Sequence, residues 1–167
     1  MFNKFFKKNK TQSLNNKDVL IAALLIHAAK IDENYTDVEK NIIKKALIIL
    51  YDIKTIEAEK LLKDAETKEQ DSNQIVEFTR EIKNNSMEFR LKIIEILWKI
   101  VYSDGANDNY ESNLIRRICG LLYVSDRDSG MIKLKIRDLI KNIVKCGQIF
   151  LKKDQKMCQK IRKNGAM

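Results

Sequence analysis

The sequence predicts an all-α protein, and three observations carry that prediction. Proline is absent and glycine occurs only five times in 167 residues, where average usage would supply about eight prolines. Apolar residues return every three or four positions along most of the chain, which is the period of a helix with one buried face. No segment shows the two-residue alternation of a half-buried strand. A turn-rich β-sandwich is excluded on the same grounds.

The helices can be taken in chain order. The first covers about 17–30 and contains the longest apolar run, Val19 to Ala29 (VLIAALLIHAA). Eleven residues are too few to span a bilayer, which takes about 20. Asp18 abuts the run and His27 interrupts it, so neither a membrane span nor a secretion signal is expected. A second helix starts after Thr36 and places Val38, Ile42, Ala46, Ile49 and Leu50 near one face. A third follows Thr55 with Ala58, Leu61, Leu62 and Ala65, and polar residues 66–72 (ETKEQDS) are expected to break it. A fourth carries Ile75, Val76, Phe78, Thr79 and Ile82, and Asn84-Asn85-Ser86 closes it. A fifth runs to about Ser103 through Leu91, Ile94, Leu97, Trp98 and Val101.

An internal repeat then organises the chain. Residues 31–51 align with 103–123 without a gap, so that Glu39 meets Glu111, Lys44-Lys45 meets Arg116-Arg117 and Leu50-Tyr51 meets Leu122-Tyr123. Beyond that point the offset becomes 70, with Thr55 opposite Ser125 and Leu61-Leu62 opposite Met131-Ile132. Each copy reads as three helices. Such a unit cannot bury its apolar face alone, so the copies are expected to pack together about a pseudo-twofold axis, bridged by the fourth helix.

Charge divides the chain differently. Residues 1–18 carry +4, residues 131–167 carry +9, and the centre carries −4 within a net charge of +9. The expected organisation is a basic N-terminal extension (1–16), a helical domain (17–136) and a basic amphipathic C-terminal helix and tail (137–167). Phe2, Phe5 and Phe6 alternate with lysines that include Lys7 and Lys8. Rings beside ammonium groups suit an anionic membrane surface, and a frayed, solvated terminus is the alternative. In the C-terminal segment Ile140, Ile143, Phe150, Met157 and Ile161 could form an apolar stripe, which a nearby core would cover. Nucleic acid is not an expected partner, since no recognition motif accompanies the charge.

The acidic loops are where chemistry could sit. Thr36-x-x-Glu39 is a capping box and Asp108-x-x-Glu111 its close analogue; both would satisfy early helix N–H groups. Asp104, Asp108 and Glu111 also fall within eight residues and could offer oxygen ligands to Ca²⁺ or Mg²⁺, although the spacing is not that of an EF-hand. Asp32 and Glu39 are the matching acids of the first copy. Elsewhere the chemistry is thin. His27 is the sole histidine, Cys119, Cys146 and Cys158 form no metal or disulfide pattern, and no phosphate loop or dinucleotide fingerprint occurs. His27, Trp98 and Tyr102 are expected to serve packing, and the paired Lys44-Lys45 and Arg116-Arg117 to lie on solvated faces.

The segments ALLIHAAKIDENYTDVEKNIIKKAL and EILWKIVYSDGANDNYESNLIRRICGLLYVS resemble a TerB-like domain, over roughly residues 17–136. The matching positions include Leu97, Trp98, Tyr102, Asp104, Gly105, Glu111, Arg116, Arg117, Val124 and Ser125. The resemblance implies an all-helical fold of two three-helix repeats and an association with tellurite resistance and bacterial stress systems. It further implies a non-enzymatic module on the cytoplasmic side of the membrane. Such a module would work with partner proteins of a stress-response or membrane-associated complex, and the loop acids would hold a divalent cation. A metal-free adaptor docked by its basic ends is the alternative. The same domain type precedes the J domain of DjlA-like co-chaperones, but this chain has no His-Pro-Asp and no proline. Its first loop has Asp32-Glu33 where the family has Asp-Gly.

Overall fold

The computed structural model describes residues 15–31, 35–72, 74–103 and 109–143. Among them the chain is all helix: α1 (Asn16–Ala29), α2 (Asp37–Tyr51), α3 (Thr55–Asp71), α4 (Ile75–Lys83), α5 (Met87–Val101), α6 (Asn109–Leu122) and α7 (126–143). The extension 1–14 and the tail 144–167 lie outside the described residues, and so do Cys146 and Cys158.

Two helices occupy the centre: α1 is apolar all round from Val19 to Ala29 but for His27, a pattern that only burial satisfies, and α5 is apolar on every face but the one that carries Glu88, Lys92, Glu95 and Lys99. In α1 every residue from Leu20 to Ile26 is buried, as are Ala28 and Ala29. In α5 the buried set is Ile93, Ile94, Ile96, Leu97, Trp98, Ile100 and Val101. The two touch each other; α2, α3 and α4 also pack on α1, and α2, α4 and α6 on α5. The alanines of α1 let its neighbours approach closely. Each fully buried Leu or Ile stabilises the fold by about 1.5–3 kcal/mol, so this central pair outweighs the surface ion pairs, worth about 0–1 kcal/mol each.

Polar contacts fix the outer helices. Trp98 Nε1 on α5 donates to Ser129 Oγ on α7 at 3.2 Å, and Lys133 Nζ stands 4.6 Å from the centre of the Trp98 ring. Trp98 thus serves the core and also seats α7. Arg90 Nη1 donates to the Leu122 carbonyl at 2.7 Å, satisfying one of the groups that the end of α6 would leave bare. There the chain reverses with Tyr123 at φ 54°, and the Val124 and Tyr123 N–H groups donate to Cys119 and Gly120 carbonyls, as in a Schellman motif. Cys119 itself is buried, and that burial pushes its thiol up.

Three expectations change. Residues 66–71 do not break the third helix, because α3 continues through Asp71. These residues are helix formers without an apolar stripe, and they are held by charge. Glu69, only 6% exposed, accepts from Lys30 Nζ at 2.6 Å and lies 3.1 Å from His27 Nδ1, both on or just beyond α1. His27 is therefore a packing residue with a carboxylate partner. Second, the fully buried positions of α2 are Glu39, Ile43 and Leu47; of the expected face, Ile42, Ala46 and Leu50 pack at the edge of the core, and Val38 and Ile49 are exposed. Third, α3 and α7 begin 71 residues apart, where the expected alignment of the two segments had 70. Ser125 Oγ accepts from Asp128 N at 3.1 Å, which makes Ser125 the cap of α7, whereas the cap of α3 is Lys54. Ala58, Leu61 and Ala65 then stand opposite Ser129, Ile132 and Ile136, all buried except Ile132, which is partly so. The extra residue lies in the longer α2, not in a turn.

Helix α7 is continuous from 126 to 143, so position 137 lies inside it. Ile136 is in the core and Ile140 packs against its edge. Arg116, Arg117 and Lys45 are exposed as expected, and Lys44 is half-buried with its ammonium 3.3 Å from Glu59.

The Glu69 cluster yields a pH prediction. Burial raises its pKa, but hydrogen bonds from Lys30 and His27 outweigh that and hold it below the ordinary value of 4.5. A carboxylate depressed by folding stabilises the protein above its unfolded pKa and loses that contribution as pH falls through the folded one. Glu69→Gln should cost about 1–2 kcal/mol near neutrality. Chemical denaturation of both proteins from pH 7 to pH 3 should show that difference shrink below about pH 4.5. A pH-independent difference would assign the loss to shape instead of charge.

Candidate functional site

The first acidic loop leads into α2 through a completed capping box. Glu39 Oε2 accepts from Thr36 N at 2.7 Å and from Thr36 Oγ1 at 2.8 Å, and the Glu39 N–H lies 3.3 Å from Thr36 Oγ1. Glu39 is 6% exposed. Beside it two ammonium groups approach the Tyr35 ring, Lys40 Nζ at 4.9 Å and Lys30 Nζ at 5.8 Å from its centre. Burial first, and then the surrounding Glu66, Glu39 and Glu69 carboxylates, push the Tyr35 phenol up. Glu39 thus ends the helix, with cations as neighbours.

The other acids cannot be placed in the same way. Asp32 lies outside the described residues, as do Asp104, Gly105 and Asp108; Glu111 falls in the first turn of α6, outside the described side chains. Phe2, Phe5, Phe6, Lys7 and Lys8 are likewise outside them. Among the described residues no three His, Cys, Asp or Glu side chains are grouped to hold a metal ion, and no helix is long and apolar enough to cross a membrane.

What the described residues do build is a groove of about 470 Å³ between α2, α5 and α7. One wall is the second stripe of α2, Val38, Ile42, Ala46 and Ile49, of which Ile42 and Ala46 also touch the edge of the core. The facing wall is Leu139, Ile140 and Ile143 of α7. Ile96 and Tyr102 of α5 contribute to the floor. The crests are bare. Val38 is 57% exposed, Ile49 69%, Leu139 51% and Ile143 62%.

The charged residues that line this trough are Lys45 of α2 and Lys92, Glu95 and Lys99 of α5. Lys99 Nζ is bound to Glu95 at 2.6 Å. Lys45 and Lys92 are exposed and have no carboxylate partner among the described residues. Tyr102 Oη is buried without a hydrogen-bond partner among them, and burial pushes that phenol up.

The groove has a signal in the sequence. Helix α2 carries two apolar stripes about one side-chain step apart, Val38-Ile42-Ala46-Ile49 and Ile43-Leu47. A single-layer helix needs one. In α7 the stripe reads Ile136, Leu139, Ile140, Ile143.

Neither curated proteins nor solved structures give a match to this chain. A family model does: that of tellurite resistance protein TerB, over residues 18–134. This span holds nearly all of α1, then α2 to α6 and the first half of α7, together with both acidic segments of the sequence. It covers well over half of the chain, and the protein belongs to the TerB family.

Proposed function

We propose that this protein is a non-enzymatic docking module, acting in a tellurite-resistance or stress-response setting, that holds a partner protein in the groove between α2, α5 and α7. The observation that carries this reading is the apolar groove itself, whose α2 wall leaves Val38 and Ile49 exposed and whose α7 wall leaves Leu139 and Ile143 exposed. Large exposed apolar surface is costly to maintain in water and marks interaction sites when it is contiguous. Duplication supports the reading. The two sets of three helices begin at positions 71 or 72 residues apart, and we take them as halves related by a pseudo-twofold axis, with α4 between them. One half supplies α2 to the groove, and the other supplies α5 and α7.

A photo-crosslinking amino acid at position 49 or 139 in living cells tests the reading. Adducts to one partner protein from both positions, absent from a control at exposed Lys60, are the expected result. No adduct from either groove position would remove it.

A second reading rests on the family match across the second acidic loop. Asp104, Asp108 and Glu111 there would hold Ca²⁺ or Mg²⁺ through oxygen ligands, and Asp32 with Glu39 would be the weaker counterpart because Glu39 is engaged in its cap. Calorimetric titration with Ca²⁺, Mg²⁺ and Zn²⁺ should give a saturable heat that Asp104→Asn/Asp108→Asn removes. The absence of heat in the wild type would leave capping as the only task of these acids.

The basic ends place such a module at the cytoplasmic face of an anionic membrane, with Phe2, Phe5, Phe6, Lys7 and Lys8 entering the interface. Pelleting with anionic vesicles should weaken in high salt and on deletion of residues 1–12; equal pelleting of both proteins would discard the anchor.

A further inference from the structure

We infer that the groove takes an amphipathic helix of a partner protein, about three turns long, whose apolar stripe is flanked by acidic side chains. This rests on the docking reading above and names the kind of segment docked.

Backbone chemistry separates a helix from an extended peptide. The groove is walled by helices whose own N–H and C=O groups are already paired, and its described surface offers no strand edge. An extended peptide would leave its backbone groups unsatisfied against Ile42, Ala46 and Ile140, at a cost of a few kcal/mol for each group. A helix satisfies its backbone internally. It presents only side chains, which is how helices lie in apolar grooves elsewhere.

Dimensions agree. From Val38 to Ile49 the α2 wall extends about 16 Å at 1.5 Å per residue, or three turns. The apolar surface also extends beyond the trough to the bare crests of Val38, Ile49, Leu139 and Ile143. A single acyl chain lying in the trough would leave those crests wet, whereas side chains of a helix can reach them.

Charge chooses the partner. Lys45 of α2 and Lys92 of α5 both line the trough and have no carboxylate partner among the described residues. The chain's own ends are wrong for this rim. Residues 1–14 carry four Lys and no acid, and residues 144–167 carry six Lys and one Arg against one Asp. Either end would bring like charge to the rim, while Glu or Asp flanking a partner's stripe would pair with it. Electrostatic complementarity of this kind sets specificity and encounter rate more than total affinity.

Fluorescence anisotropy with the full chain tests this directly. The probes are two 16-residue synthetic helices with one leucine stripe, flanked by Glu in one and by Lys in the other. The acidic helix should bind at least tenfold tighter at low salt, and the difference should collapse in 0.5 M salt. Lys45→Glu/Lys92→Glu should reverse the preference, and Ile49→Asp should abolish binding of both. All three positions are exposed, and an unchanged circular dichroism melt verifies folding. Equal affinity for the two peptides, or binding that survives Ile49→Asp, overturns the inference. So does binding of dodecanoate or anionic vesicles at the groove with neither peptide bound, or concentration-dependent self-association blocked by Ile49→Asp. Cellular adducts at positions 49 and 139 with no preference for the acidic helix would leave the docking reading standing and remove this one. Loss of both the adducts and peptide binding would remove both.

Discussion

The contact between α1 and α5 is the constraint on which the rest depends. Most of α1 is apolar on every side, and α5 is apolar on all but its Glu88-Lys92-Glu95-Lys99 face, so both need neighbours over most of their surface. Packing them against each other covers part of each and leaves other apolar faces for four more helices. α2 and α4 pack against both central helices, while α3 is specific to α1 and α6 to α5. The sum of buried Leu and Ile side chains on these two helices exceeds any polar contribution in the molecule. Caps, ion pairs and the Trp98–Ser129 hydrogen bond then choose among the ways of surrounding them.

This arrangement explains why a groove is present. Four helices pack on the central pair, and α2 meets it with Ile43 and Leu47. The next stripe of α2 touches the core only at its edge, through Ile42 and Ala46, and leaves Val38 and Ile49 exposed. α7 stands across from it, anchored by Ser129 and Ile136 near Trp98, and its own remaining apolar residues face the same space. The trough therefore follows from a shortage of neighbours and not from a missing side chain, and a partner helix would supply the neighbour.

Glu69 shows how polar residues can extend a helix that apolar patterning would end. Its carboxylate lies under His27 and Lys30, where desolvation alone would disfavour the charge and two donors restore it. Periodicity of apolar residues is blind to such a contact, because both its members are polar and 39 or 42 residues apart. The Thr36 capping box was legible for the opposite reason. Its partners are three residues apart and its chemistry is local. The capping of α7 by Ser125 was equally local, yet the alignment of copies placed it against Thr55 because sequence similarity does not see where α2 gains its extra residue.

The amino-acid sequence by itself determined the helical class, nearly every helix start and the TerB resemblance, since all of these depend on side-chain period, caps and local residue order. It also located two candidate sets of loop acids and two basic ends. Only tertiary structure decided which stripe of α2 enters the core, how far α3 runs, and that α2 and α7 share a trough with α5. Those outcomes depend on which helices compete for the faces of α1 and α5, and a helix's own sequence does not say which of two apolar stripes will win that competition.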